Sequence, residues 1–533
     1  MAIYRPRGGV SSAPLPPMHS LVAAFRFALA LGVLYALSHV ALAEAASEWA
    51  ATGADGKLRY KALPKGDRII DFSFAGYMGG GVALPAVPVR KALKPSGGDD
   101  SSAIQAAIDE VGQMPAISGL RGAVLLEQGR FHCSTTVVLR VDGVVLRGSG
   151  SGEQGTIVEM IGAPHAFATI GESGRARSVG KPVSITDAYV PSGSRTISVA
   201  DAAGFKVGDT ILVIHPAPAA WVNAMGMDAL TRDGKKQTWV GGDLTSERTV
   251  VAITDSKVTV DVPLSDSLDA SLLSPPGASV TRYTPPERVR QVGIESVRIL
   301  SPPQPVALSD PKHSGVRVGA AEDVWIRDLV LIDTVGSVSF SKASRRATAQ
   351  EVSITHSVAP VGSAKPADLA CDGSQLLFDR CSGKGDNLFH FVTGSGVSGP
   401  NVLLNSKFQG NGRVQPHQRW ATGLLFDQCE ATEGGIDLMN RGQMGSGHGW
   451  TIGWAVAWNC VAKSFIVQQP PGSMNWAIGC RGQRDLAAMP FGKAPKLAEG
   501  TFDSHGTPVL PASLYLAQLR DRLGPQALKN IGY

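Results

Sequence analysis

From Leu376 to Trp476 the chain repeats one short phrase: an apolar β run, then an Asp or Asn, then a small residue. Leu376-Leu377-Phe378-Asp379-Arg380-Cys381, Val402-Leu403-Leu404-Asn405-Ser406 and Leu424-Leu425-Phe426-Asp427-Gln428-Cys429 carry it, at a period of about 24 residues. Each run is too short to bury a face alone, so the pattern predicts stacked coils. Similar runs at Ile294–Ile299, Val324–Leu331 and Ala349–Ile354 extend the coils upstream, and the rungs are expected to run on to about Cys480. Between about 190 and 285 the pattern changes. Thr196–Val199, Val207–Ile214, Arg248–Ile253 and Lys257–Leu264 alternate as hairpin strands do, which predicts a small β subdomain set between early coils. Trp221, Asp243 and Arg248 in it are read first as structural. Near the start, Ile104, Ala107 and Ile108 share one face of a short helix capped by Asp100 or Ser101, and Asp99 and Asp100 are read as capping residues rather than a metal pair. Short runs at Gly122–Phe131, Val137–Arg140 and Val144–Gly150 follow.

Composition agrees with a turn-rich β protein, with 62 glycines and 34 prolines among 533 residues. The net charge of +5 comes without a dense Lys/Arg cluster, which argues against a nucleic-acid binder and suits an acidic ligand. Arg5, Arg7 and Arg26 precede the apolar run Phe27–Leu37 and an Ala41-x-Ala43 ending. These are the parts of a secretory signal over residues 1–43, with Met18 as an alternative start and a single-pass anchor as the alternative reading. A secreted or periplasmic protein without stable membrane insertion after cleavage follows. Cys381, Cys429 and Cys460 recur at one place in the repeat and are expected to stack as buried thiols, a Cys371–Cys381 bridge being the alternative.

One stretch is more specific than periodicity. Gly98-Asp99-Asp100-Ser101-Ser102-Ala103-Ile104-Gln105-Ala106-Ala107-Ile108 leads to the Gly122–Leu126 strand, the Gly129-Arg130-Phe131 turn and the Val144–Gly148 strand. This resembles the opening of secreted pectate-lyase-superfamily (pectin-lyase-like) proteins. Pro416–Gly423, Asn440–Trp450, Phe391–Gly394 and Gly399–Val402 are similar to segments of bacterial members of that superfamily. The resemblance implies an all-β, single-stranded right-handed parallel β-helix with an N-terminal capping helix, and a polysaccharide substrate. The expected organisation is a linker over 44–70, the cap and first coils over 71–189, the inserted subdomain over 190–285, the main coils with the groove over 286–485, and a C-terminal tail or cap over 486–533.

The polar residues between the repeats supply the candidate chemistry. Abstraction of the proton α to a uronate carboxylate needs a base and a cation to neutralise the carboxylate. His417 is the candidate base, Arg419 and Arg441 the candidate carboxylate partners, and His448 a proton donor or second base. Arg413, Asp437, Asn440, Trp420 and Trp450 are expected to bind substrate, with His390 and His313 ranked behind them. Trp454 could also stack on a sugar ring, whereas Trp458 and Trp476 are read as core. This favours a lyase acting on an acidic polysaccharide by β-elimination. A glycoside hydrolase using Asp437 with Glu433 or Asp386 is the alternative, and a non-catalytic carbohydrate-binding surface protein the second. No metal-ligand spacing occurs, which leaves calcium, held by carboxylates from adjacent coils, as the one open cofactor. Gly79-Gly80-Gly81 lacks the lysine and helix of a phosphate-binding loop.

Overall fold

The computed structural model describes residues 2, 8–9, 45–174, 176–486 and 497–533. But for residues 2, 8 and 9, the expected secretory signal over 1–43 lies outside the described residues. A parallel β-helix forms the body: one continuous sheet of 28 strands among the described residues winds in three-faced coils, some strands running through a corner onto a second face. The repeat phrase supplies the first strand of each coil, so Leu377 pairs with Val402 and Leu425 with Val456.

The residue just before each inward position turns the corner, after the Asp at Arg380 and Gln428 and at the Asn itself in Asn405 and Asn459. Ser296, Asp328, Glu351, Arg380, Gln428 and Asn459 all have φ between 49° and 59°, and Asn405 has φ 48°. Left-handed backbone turns the chain sharply and returns the next side chain to the interior, and polar residues tolerate it better than β-branched ones. That next residue is Val297, Leu329, Val352, Cys381, Ser406, Cys429 or Cys460, with Cys480 after Gly479 (φ 66°), so apolar side chains, thiols and one hydroxyl stack inside. All six cysteines are free and buried, and the alternative Cys371–Cys381 bridge is not formed. Ser406 is accommodated because its Oγ accepts the Cys381 N–H (3.1 Å) and donates to the Leu404 carbonyl (3.0 Å). Beside this ladder Phe340, Phe378, Phe391 and Phe426 pack edge to face with centroids 5.4–5.6 Å apart.

The helix Ser101–Gly112 closes one end, burying Ile104, Ala107, Ile108 and Val111 against the coil core. Asp100 stands at its N-cap, as expected, but the side chain that bonds the first turn is that of Asp99. Asp99, not Asp100, accepts the Ser101 N–H (3.0 Å), because Asp100 is turned to the backbone of Ser96 and His132. Residues 45–70, read as a linker, are packed instead: Trp49, Leu58, Ile69 and Ile70 are buried with the tail helix Leu514–Leu523 on the outer face of the first strands. Asp427 ties that helix down, accepting the Ser513 hydroxyl (2.7 Å) and the Tyr515 N–H (2.8 Å).

The chain leaves the coil after strand Ala166–Ile170 and returns at Val289–Arg290. In between it forms a six-stranded antiparallel sheet running from Arg177–Ser184 to Ser279–Thr284, which begins earlier than the hairpin pattern indicated. The first of these strands is mostly exposed and polar, so it carries no alternating signal. No described helix is long and apolar enough to cross a membrane.

Candidate functional site

The inserted sheet departs from the corner that joins the third strand of one coil to the first strand of the next. It therefore lies against the same corner of later coils, formed by residues 372–375, 393–398, 415–423 and 439–454. Arg248 fixes it there. This side chain is 1% exposed and donates to the carbonyls of Val262, Pro263 and Gly399. Ser246 meets Ser398 at 2.6 Å, and Glu247 bridges Arg288 (2.8 Å) to the coil residue Arg345 (2.7 Å). Arg248 is thus structural, as its sequence context indicated.

Arg441, His417 and His448 meet at this corner. Arg441 Nη1 lies 2.8 Å from His417 Nδ1 and 3.2 Å from Nε2, 3.1 Å from His448 Nδ1 and 3.1 Å from the His417 carbonyl. The two imidazoles are 4.7 Å apart, and Phe389 packs on both His417 (5.1 Å) and the guanidinium (5.5 Å). Among the described residues no carboxylate pairs with Arg441; Asp437 acts on it only through space. Burial lowers the Arg441 guanidinium to about 10, so it stays a cation at neutral pH. Burial first, and the Arg441 charge second, push His417 down to about 3 and His448 to about 4. Both rings are therefore uncharged acceptors at neutral pH. Gly445, at φ 59°, makes room for His448, since a Cβ there would stand 2.1 Å from Nε2.

Arg419 joins the same loop but points elsewhere, donating to the Ser446 carbonyl (2.9 Å) and hydroxyl (2.6 Å). Other expected substrate contacts are taken up within the protein. Arg413 is neutralised by Asp437, whose Oδ2 also accepts from Gln415 (2.6 Å). Asn440 is fully buried and accepts the Gly442 N–H (2.7 Å). Trp450 is packed inside the contact with the insert, donating to the Met225 carbonyl (3.0 Å), so it offers no ring face to a sugar. His390 is fully buried against Phe408, and His313 packs on His165 in the loop joining the second strand of a coil to the third. His313 is kept from the cluster by lying on that other corner; His390 is on the strand Phe389–Val392, next to the Phe389 that packs on His417, but its own ring is turned to Phe408 and Asp368. Asp386 accepts the Asn411 N–H (2.7 Å), Glu433 is exposed on the strand Glu430–Leu438, and Asp437 is committed to Arg413 and Gln415. Among the described residues no group of three metal-ligating side chains could hold an ion, so the calcium expectation finds no ligand set.

A cleft of ≈ 350 Å³ opens between the insert and residues 372–374 and 395–398. Asp372 and Asp243 line it with Lys342. Burial raises the Asp372 carboxyl, and its Oδ1 has no hydrogen-bond partner. The loop carrying His417 stacks directly on this cleft's floor: His417 N–H donates to the Thr393 carbonyl (3.1 Å) and Gly396 N–H to the Arg419 carbonyl (2.9 Å). Asp372 carries no motif in the sequence. Its signal was positional, since Leu369-Ala370 pairs with Phe391-Val392 and so places Asp372 level with Gly394. A Cβ on Gly394 would lie 2.5 Å from Asp372 Oδ1.

No protein-family model matches the chain, and no curated protein matches it. Among solved structures it is similar to the Gp54 tailspike of Acinetobacter baumannii bacteriophage AP22, in complex with A. baumannii capsular saccharide, at 10% identity and TM-score 0.40, covering 77% of this chain and 71% of that one. It is similar to the tailspike protein gp49 from Pseudomonas phage LKA1 at 14% identity and TM-score 0.36, over 72% of this chain and 69% of that one. A tailspike protein mutant of E. coli bacteriophage HK620 in complex with a pentasaccharide matches at 9% identity and TM-score 0.40, over 83% of this chain and 62% of that one.

Proposed function

We propose that the protein cleaves a uronate-containing polysaccharide by β-elimination at the corner where the insert meets the coil. The observation that carries this is Arg441, a buried guanidinium with two uncharged imidazoles on it and no carboxylate partner among the described residues. A buried cation is costly unless an anion completes it, and a uronate carboxylate supplies one. In the free protein the His417 lone pair is occupied by Arg441. When the substrate carboxylate draws the guanidinium away, that lone pair is released, and neutralising the charge makes the imidazole more basic. His417 then takes the proton α to the carboxylate. The electron pair left behind forms the carbon–carbon double bond as the bond to the glycosidic oxygen breaks, and the leaving oxygen takes a proton from the imidazolium or from water. His448, whose Nδ1 faces Arg441 and whose Nε2 lies against Gly445, positions the guanidinium.

A second reading has its own observation. Asp372, with a raised carboxyl lining the ≈ 350 Å³ cleft opposite Asp243, has the character of a general acid for hydrolysis. The test follows product from polyuronates by two readouts, new reducing ends and the ultraviolet absorbance of an unsaturated uronate. Elimination gives both signals, and His417→Gln loses both. Reducing ends without absorbance, abolished by Asp372→Asn, would transfer the function to the carboxylates.

A further inference from the structure

On the far side of the insert from the Asp372 cleft, a second cleft of ≈ 370 Å³ lies between residues 63–67, the insert and the corners of the last coils. We propose that it binds a neutral sugar unit. The proposal takes from the function above only that the ligand is a saccharide, and it does not depend on the chemistry at Arg441.

Two tryptophans on neighbouring coils converge there. Trp420 Nε1 donates to Asp266 Oδ2 (2.8 Å) and Trp454 Nε1 to Asp266 Oδ1 (3.1 Å). Both have left-handed backbone, φ 61° and 59°, and Arg419 just before Trp420 has φ 52°. Bulky side chains rarely adopt that conformation, and such outliers concentrate where a ligand is clamped. Here the left-handed turns aim both indoles across the gap at one carboxylate of the insert. Tyr189 stands on the opposite wall and donates to Asp67 (2.7 Å).

Two lining groups are left unsatisfied. His215 Nδ1 and Ser473 Oγ are buried without a hydrogen-bond partner, in residues only 6% and 5% exposed. Buried polar atoms are otherwise nearly always paired, so these two mark where ligand hydroxyls would bond. The volume lies in the ordinary range of small-molecule sites, about 300–1,000 Å³. A mostly apolar lining with a few convergent polar atoms suits a pyranose ring, with C–H faces toward the half-buried Leu63, Leu272 and Met474 and hydroxyls toward acceptors, while the buried Trp420 and Trp454 hold Asp266 in place. Charge selects within that class. Asp67, Asp266 and Asp269 line the cleft, and Lys65, the cation there, is paired with Asp269 (2.8 Å). A uronate would meet uncompensated carboxylates, so the sugar is neutral. The two sites together fit a polymer in which acidic and neutral sugars alternate or branch.

The test is calorimetric titration of the purified protein with cellobiose, lactose and N,N′-diacetylchitobiose, with tryptophan fluorescence recorded in parallel. Saturable binding of at least one disaccharide is expected. Leu272→Trp, which fills the cleft from a half-buried position, and Asp266→Asn should each weaken it by about tenfold or more, with melting curves confirming that each variant is folded. Arg441→Met should bind the disaccharide as the unmodified protein does. No saturable signal from any of the three, or binding that survives both folded variants, would overturn the proposal. Disaccharide binding without polyuronate cleavage would leave this site standing and remove the lyase; cleavage without disaccharide binding would do the reverse.

Discussion

At the residue scale, burial and charge set three titratable side chains against one another. His417 and His448 are held near 3 and 4 in the folded protein, against about 6.5 in an unfolded chain. The unfolded state therefore binds more protons between those values, and folding stability falls as pH drops from about 6.5 toward 4. Asp427 has the opposite sign. Complete burial raises it to about 8, against about 3.9 unfolded, so the folded state holds the extra proton and stability falls as pH rises from about 4 to 8. Asn at 427 keeps an acceptor for the Ser513 hydroxyl and the Tyr515 N–H and cannot ionise. Asp427→Asn should accordingly be at least as stable as the unmodified protein at pH 8 and lose that advantage at pH 4. Chemical denaturation at the two pH values checks this, and an Asn variant destabilised equally at both would contradict the assignment. The role of Asp427 as a structural rung was legible in the repeat, because the same phrase recurs without it at Asn405. Arg441's isolation from carboxylates was not, since Asp437 is four residues away in sequence and committed to Arg413 only in the fold.

At the element scale, the corner after the first strand turns on a left-handed residue, and the sequence carried it at Arg380 and Gln428 as the position between an Asp and a cysteine and at Asn405 and Asn459 as the Asn itself. Gln428 is such a corner, at φ 55°. A β-branched residue there meets the full steric cost of the left-handed region, about 1–2 kcal/mol, whereas glycine meets none. Gln428→Val should lower stability by about that amount and Gln428→Gly should be neutral within about 0.5 kcal/mol. A Val variant as stable as the Gly variant would show that the corner is not strained. The insert was legible as hairpins, because its buried strands alternate, but its first strand was not. The packing of residues 45–70 was missed for a related reason. Trp49, Ile69 and Ile70 bury themselves singly against the coil, without a period that sequence patterning can register.

At the scale of the whole molecule, the insert decides where chemistry can occur. It leaves the coil at one corner and is fastened through Arg248, Glu247 and the serine contacts onto that corner in later coils. One cleft results on each side of the contact, together with the Arg441 cluster one coil beyond the first. The sequence placed His417, Arg441 and His448 together because they fall within two turns of one repeat. It could not place Asp372 or Asp266 beside them, since those contacts join distant coils and the insert. The two clefts differ in kind: one mixes Asp243, Glu247 and Asp372 with Arg288 and Lys342, the other carries carboxylates and buried indoles with one paired lysine.

The central claim is that Arg441 waits for a carboxylate. The most direct measurement is calorimetric titration of the His417→Gln protein, which cannot turn over, with a uronate oligosaccharide and its carboxyl-reduced counterpart, beside the same protein carrying Arg441→Met. A charge-assisted bond contributes about 1.5–3 kcal/mol, so the acid should bind about 10- to 100-fold more tightly than the reduced sugar. That preference should vanish with Arg441→Met. Equal affinity for the two sugars, or a preference that survives the loss of Arg441, would contradict the account.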